Sequence, residues 1–189
     1  MFKIFAKIAK ISGVLILLIG FMGCGDADKV GQIPAEEMLQ ISSILDQWRE
    51  GYETEDVNTY IGTFWEEGFL YVSDMGTDGD KTDDVEFDDI RQERAAATRV
   101  FERFQDIEIE LSSPPEVSMN DDGTEAEVRN HYRIQFFVSD GYALEGGYSG
   151  AYAEGDNVFI FEKRNDEWRI AEWHDEAFNE EEIRIANNL

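Results

Sequence analysis

Fifteen consecutive residues, Thr124 to Val138, alternate with a period of two. Ala126, Val128, Asn130, Tyr132, Ile134, Phe136 and Val138 share one parity. Glu125, Glu127, Arg129, His131, Arg133 and Gln135 share the other. A helix would scatter both sets around its circumference, whereas an extended strand separates them onto opposite faces. The chain must therefore build a sheet with one face on a core and one face toward water, the habit of antiparallel sheets.

The neighbouring segments extend the pattern. Ile107, Ile109 and Leu111 alternate with Glu108 and Glu110, and Pro114-Pro115 stops that strand. Asp121-Asp122-Gly123 is a hairpin signal. Further strands are expected near 142–153, 157–164 and 167–174, with turns at Asp140-Gly141, Gly155-Asp156-Asn157 and Asn165-Asp166-Glu167. Upstream the period changes to that of a helix. Met38, Ile41, Leu45, Trp48 and Tyr52 recur at spacings of three and four, after Pro34 and with Glu36 and Glu37 in the first turn. Asp56 reads as the N-cap of a short helix carrying Val57, Tyr60, Ile61 and Phe64. Gly68 to Ser73 reads as a strand, 74–86 as a Gly/Asp-rich loop, and Asp88 to Gln105 as a third helix. Three helices followed by a meander of strands give an α+β domain, with helices packed on one face of the sheet.

The N-terminus is of another kind. Lys3, Lys7 and Lys10 precede an apolar run from Ile11 to Met22, and Gly23-Cys24 follow it. A helix of about 12 residues spans roughly 18 Å, short of the ~30 Å hydrocarbon core. An export signal fits the run better than a transmembrane helix does. The stretch Phe21-Met22-Gly23-Cys24 resembles the lipobox of bacterial lipoproteins, departing from it at Phe21 and Met22. The resemblance implies cleavage after residue 23 and acylation of Cys24. The expected organisation is a signal peptide over 1–23, a tether over 24–33, a domain over 34–178 and an acidic tail over 179–189. The implied location is the bacterial cell envelope, facing the periplasm or the exterior, with the lipid on Cys24 as the contact with the membrane. Cys24 is the only cysteine, which excludes an intramolecular disulfide.

Acidic side chains outnumber basic ones by 42 to 16, for a net charge of −26. The three lysines of the signal leave the remainder more acidic still. That field repels nucleic-acid phosphates and anionic headgroups, and it leaves neutral or cationic ligands, or a protein partner.

The spacing Trp48, Tyr52, Asp56, Tyr60, Phe64, Phe69 and the ending Trp168-Arg169-Ile170-Ala171-Glu172-Trp173-His174 resemble the nuclear transport factor 2-like superfamily, which includes SnoaL-like domains and shares a cystatin-like cone. The resemblance covers about residues 35–175. It implies a curved antiparallel sheet wrapped around a long N-terminal helix, with an apolar pocket at the wide end. The superfamily holds isomerases, dehydratases and cyclases alongside non-catalytic binding and assembly modules, so fold does not choose among them. Against its steroid isomerase branch, the oxyanion-hole position is Trp48 and the general-base position is Val72. Neither residue can take that role.

Several side chains remain candidates. Glu172 and His174 share parity with Trp168 and Ile170, so a carboxylate-oriented imidazole facing the pocket is one reading and a solvated strand end the other. Trp48, Tyr52, Tyr71, Asn130, Tyr132 and Tyr148 either fill the core or line a polar-tipped aromatic pocket. His131, between Arg129 and Arg133, belongs to a solvated face or a subunit interface. Asp74, Asp78 and Asp80 suggest a calcium loop, but Lys81 and Val85 stand where that motif needs an apolar residue and a bidentate acid. No metal centre is expected, and no cofactor fingerprint is present. The preferred function is a lipid-anchored, non-catalytic domain binding a small ligand or a partner protein. The alternatives are an isomerase, dehydratase or cyclase using His174 with Glu172, and a homodimerising assembly module.

Overall fold

A computed structural model describes residues 33–77, 81–138, 143, 144, 147 and 149–187. Cys24, Asp78, Asp80 and Tyr148 lie outside the described residues. Helix α1 (Ala35–Glu53) buries Ile41, Leu45 and Trp48 along one face, as its spacing requires. Gly51 lets it touch the next helix, because a Cβ there would stand 2.5 Å from the backbone nitrogen of Tyr60. Helix α2 (Val57–Ile61) begins where the Asp56 carboxylate accepts from the amides of Asn58 and Thr59. Strands β1 (Leu70–Ser73) and β2 (Val85–Phe87) follow, and Asp89 caps α3 (Ile90–Arg103).

The remaining chain is β3 (Phe104–Leu111), β4 (Glu116–Met119), β5 (Glu125–Val138), β6 (Gly150–Arg164), β7 (Glu167–Ala177) and α4 (Glu180–Ala186). The sheet runs β2-β1-β7-β6-β5-β3, with β4 also on β5. Extra residues bend it. One lies in β3 between Gln105 and Glu108, where Asp106 takes φ 51°, and one in β7 opposite Ile160 and Phe161. The concave face closes over α1 around Trp48, Tyr60, Phe64, Phe159, Phe161, Trp168 and Ile170, all buried.

β5 alternates as its sequence demands, with Ala126, Val128, Asn130, Tyr132 and Ile134 buried. Four expectations need correction. The sheet is not wholly antiparallel, because β7 pairs parallel with β1. The expected 74–86 loop ends in the first two residues of β2, where Val85 and Glu86 pair with Ser73 and Val72 of β1. Gly155-Asp156-Asn157 is not a turn: these residues pair with Asn130, His131 and Tyr132 in mid-strand, extending β6 through the break expected there. Part of the expected acidic tail is α4, started by a capping box between Asn179 and Glu182. Among the described residues no helix is long and apolar enough to cross a membrane.

Candidate functional site

The site grows from the bulge in β7. Ile170 pairs with Phe161 but Glu172 pairs with Ile160, so Ala171 is an extra residue. Trp168 and Ile170 point inward, Ala171 takes up one step, and Trp173 and Asp175 then point inward as well. A one-residue step exchanges the two faces of a strand. Glu172 and His174 therefore leave the concave face. They bond each other at 3.0 Å with side chains 40% and 39% exposed, which removes them from any interior chemistry.

Trp173 is the centre of the interior. Its ring lies 5.4 Å from Trp48, 4.6 Å from Tyr71 and 5.8 Å from Phe159. Its indole N–H donates to Asn157 Oδ1 at 2.8 Å, and Asn157 Nδ2 donates to Asn130 Oδ1 at 3.3 Å. Two residues on, Asp175 accepts from Tyr132 at 2.7 Å and from Tyr71 and Ser73 at 3.2 Å each. Burial pushes the Asp175 carboxyl above its ordinary range, and these hydroxyls pull it back only in part. Burial likewise raises Glu93, a second interior carboxyl, which accepts from the Tyr60 hydroxyl at 2.6 Å. Burial also raises Tyr52, with further contributions from the charges of Glu93 and Asp175. Tyr52 packs edge-on to Tyr60 and Phe101 at 4.9 and 5.1 Å.

The structure thus gathers Trp48, Tyr52, Tyr71, Tyr132 and Asn130 around Trp173 and adds Asp175, Glu93 and Asn157. Tyr52, Tyr71, Phe87, Phe101, Phe104 and Phe136 are only partly buried and pack against the core. The two acids were missed for different reasons. Asp175 is hidden by the bulge, although buried residues of opposite parity on one short strand (Trp168 and Ile170 against Trp173) signal one. Glu93 stands between Ile90 and Ala97 at spacings of three and four, so the face that buries them carries it inward too, and only its charge disguised it.

The convex face holds a different cluster. Glu154 is buried there, accepting from His131 at 2.9 Å, Arg133 at 3.0 Å, and Tyr152 and Asn187 at 2.7 Å each. Burial opposes its ionisation, but these four donors outweigh burial and hold it at about 2. His131 is 31% exposed on this face and is held by carboxylates on both ring nitrogens. It lies between Glu154 and Asp156, with Phe178 5.5 Å away. Asp74 of the calcium-like loop accepts from the amides of Gly76 and Ala177, which ties its loop to the end of β7. Among the described residues no three His, Cys, Asp or Glu side chains form a metal-binding group.

No protein-family model matches the sequence, and no curated protein is similar to it at a significant level. Solved structures do match. A nuclear transport factor 2-like superfamily protein from Salmonella enterica superposes with a TM-score of 0.60 at 15% identity, covering 77% of this chain and 94% of that one. A protein of unknown function with a cystatin-like fold from Nostoc punctiforme gives 0.58 at 14% identity, covering 79% and 97%. A protein from Kribbella flavida gives 0.62 at 12% identity, covering 75% and 90%. The chain has the nuclear transport factor 2-like cone fold, and at these identities the likeness shows the fold alone.

Proposed function

We propose that this chain is a lipid-anchored envelope protein whose cone interior binds a small, largely apolar ligand carrying a cationic group. The observation that supports this reading best is Asp175. It is a half-buried carboxylate on the concave face, fixed by the hydroxyls of Tyr132, Tyr71 and Ser73 and surrounded by aromatic side chains. Aromatic walls supply apolar contact and cation–π attraction, and a few convergent polar groups set orientation. The net charge of −26 favours a cation over an anion at the approach. The anchor part rests on the signal-like N-terminus and Cys24.

Calorimetric titration with naphthylmethylamine and the isosteric naphthylmethanol tests the pocket. The amine is expected to bind about tenfold tighter, and Asp175→Asn is expected to remove that preference. Equal binding of the two, or none by either, sinks the reading. The raised Asp175 carboxyl also supports a second reading, an acid–base enzyme using Asp175 in place of His174 and Glu172. Turnover of any substrate by the Asp175→Asn protein at the wild-type rate would dismiss it.

A further inference from the structure

The segment after β7 is tied to the convex face at both ends, and one residue, Glu154, receives both ties. The Phe178 amide donates to the backbone oxygen of Glu154 at 2.8 Å. At the other end, Asn187 Nδ2 donates to Glu154 Oε2 at 2.7 Å and to the Ile183 carbonyl at 2.9 Å. Helix α4 fills the interval. The two ties differ in kind. At the near end the backbone of Phe178 and Asn179 also presses on Gly76, where a Cβ would meet it at 3.1 Å, and the Phe178 ring lies 5.5 Å from that of His131. The far end rests on the Asn187 side chain.

Between these ends α4 has little to hold it down. Its seven residues bury no side chain, and Ile185 is 64% exposed. A helix of that length does not persist on its own. Beneath it the Glu154 side chain is 0% exposed, although it stands on the convex face. Its Oε1 accepts from His131 and Arg133, and its Oε2 from Tyr152 and Asn187. The first three donors belong to β5 and β6 and stay with the sheet. Asn187 alone belongs to the segment above. Lifting α4 therefore exchanges one hydrogen bond for one to water, and it opens one oxygen of a buried carboxylate.

We propose that residues 180–187 form a strap that opens and closes on the convex face while the rest of the fold stays intact, with Asn187 on the Glu154 carboxylate as its latch. Asn179, which caps α4, is the hinge. The closed strap hides the carboxylate. The open strap presents it to solvent between Arg133, His131 and Tyr152, which are themselves exposed in part. Local opening of this kind belongs to segments with few buried apolar contacts, and α4 is such a segment. The device stands without the ligand proposed for the cone interior and without the lipid anchor.

Hydrogen exchange of the full chain, followed by NMR, tests the strap. The backbone amides at 183 and 187 report its closed state, donating to the carbonyls of Asn179 and Ile183. They are expected to be protected, yet to exchange at least about 100-fold faster than the amides of the β5–β6 ladder. Asn187→Ala, at the end of the last turn, is expected to speed their exchange about tenfold and to leave the ladder unchanged. Asn187 also closes the last turn through Ile183, so Glu154→Ala supplies the second arm. It is expected to speed the same amides by the same factor, with no further gain in the double variant. Glu154→Gln, which keeps an acceptor, is expected to fall between Glu154→Ala and wild type. Effects that multiply in the double variant would make Asn187 a cap rather than a latch and overturn the proposal. Amides at 183 and 187 that are unprotected in wild type, or that exchange only together with the ladder, overturn it as well.

Discussion

The Tyr132 hydroxyl donates to Asp175 Oδ1 at 2.7 Å although the two residues belong to strands that are not neighbours. Gly155 of the intervening strand makes this possible. It pairs with Tyr132 on one side and Ala177 on the other, and the tyrosine passes over it. A Cβ at Gly155 would lie 2.8 Å from the Tyr132 hydroxyl and 2.5 Å from the Glu176 carbonyl oxygen. Gly155→Ala is therefore expected to cost about 2 kcal/mol by overpacking. It should also push the Tyr132 hydroxyl away from Asp175. Chemical denaturation measures the first effect. A cost below about 0.5 kcal/mol, the range of an ordinary surface change, refutes the close approach.

Asp175 makes stability depend on pH in a definite sense. Its folded carboxyl is raised by burial, so the native state holds this proton more tightly than the unfolded chain does. Stability from this group is greatest below the unfolded value and falls as pH rises through the folded one. Asn does not titrate. The melting temperature of Asp175→Asn relative to wild type should therefore climb as pH rises above the unfolded carboxyl's range, about pH 4, and level off once the folded group has ionised. A relative melting temperature that falls over that range contradicts the assignment.

Glu154 should behave in the opposite sense. Held at about 2 by its four donors, it contributes stability that is present above the unfolded value and lost as pH falls through about 2. Glu154→Gln removes the charged acceptor of Arg133 and His131 and is expected to cost about 2 kcal/mol at neutral pH. The gap to wild type should close on acidification. A gap independent of pH would mean that the carboxylate charge contributes nothing.

Residues whose environment is set by their own segment were legible in the sequence. The inward face of β5 and the buried face of α1 follow from periods of two and of three to four. The Asn179 to Glu182 capping box also stood in the sequence, masked by acidic composition that reads as a tail. Gly155 misled because a glycine between polar residues suits a turn as well as it suits a close approach. Glu93 was legible in principle, at helical spacing from Ile90 and Ala97, but its charge argued for the outer face; Asp175 was not, since the bulge that turns it inward is set by pairing with a distant strand.

The anchor proposal is tested at Cys24. Expressed in a bacterium with its own signal, the wild-type chain should partition with membranes, and labelled fatty acid should be incorporated. Cys24→Ser should abolish the labelling and release the chain from the membrane fraction, since acyl chains are the hold that the proposal supplies. Unlabelled wild type, or a membrane-bound serine variant, rejects it.

The bulge in β7 makes a sharper demand. With Ala171 removed, Ile170, Glu172, Trp173, His174 and Asp175 alternate without interruption, and Trp173 and Asp175 still face inward. The pairs Phe161 with Ile170 and Ile160 with Glu172 are both kept, and only the local bend is lost. Deleting Ala171 is therefore expected to leave a folded protein, at a cost of about 1–3 kcal/mol. Deleting His174 removes the same amount of chain three residues later, yet it turns Asp175 outward and Glu176 inward. That variant should lose the pH dependence assigned to Asp175, while the Ala171 deletion keeps it. If both deletions keep it, or the Ala171 deletion alone loses it, the inward face of β7 is not set by its extra residue.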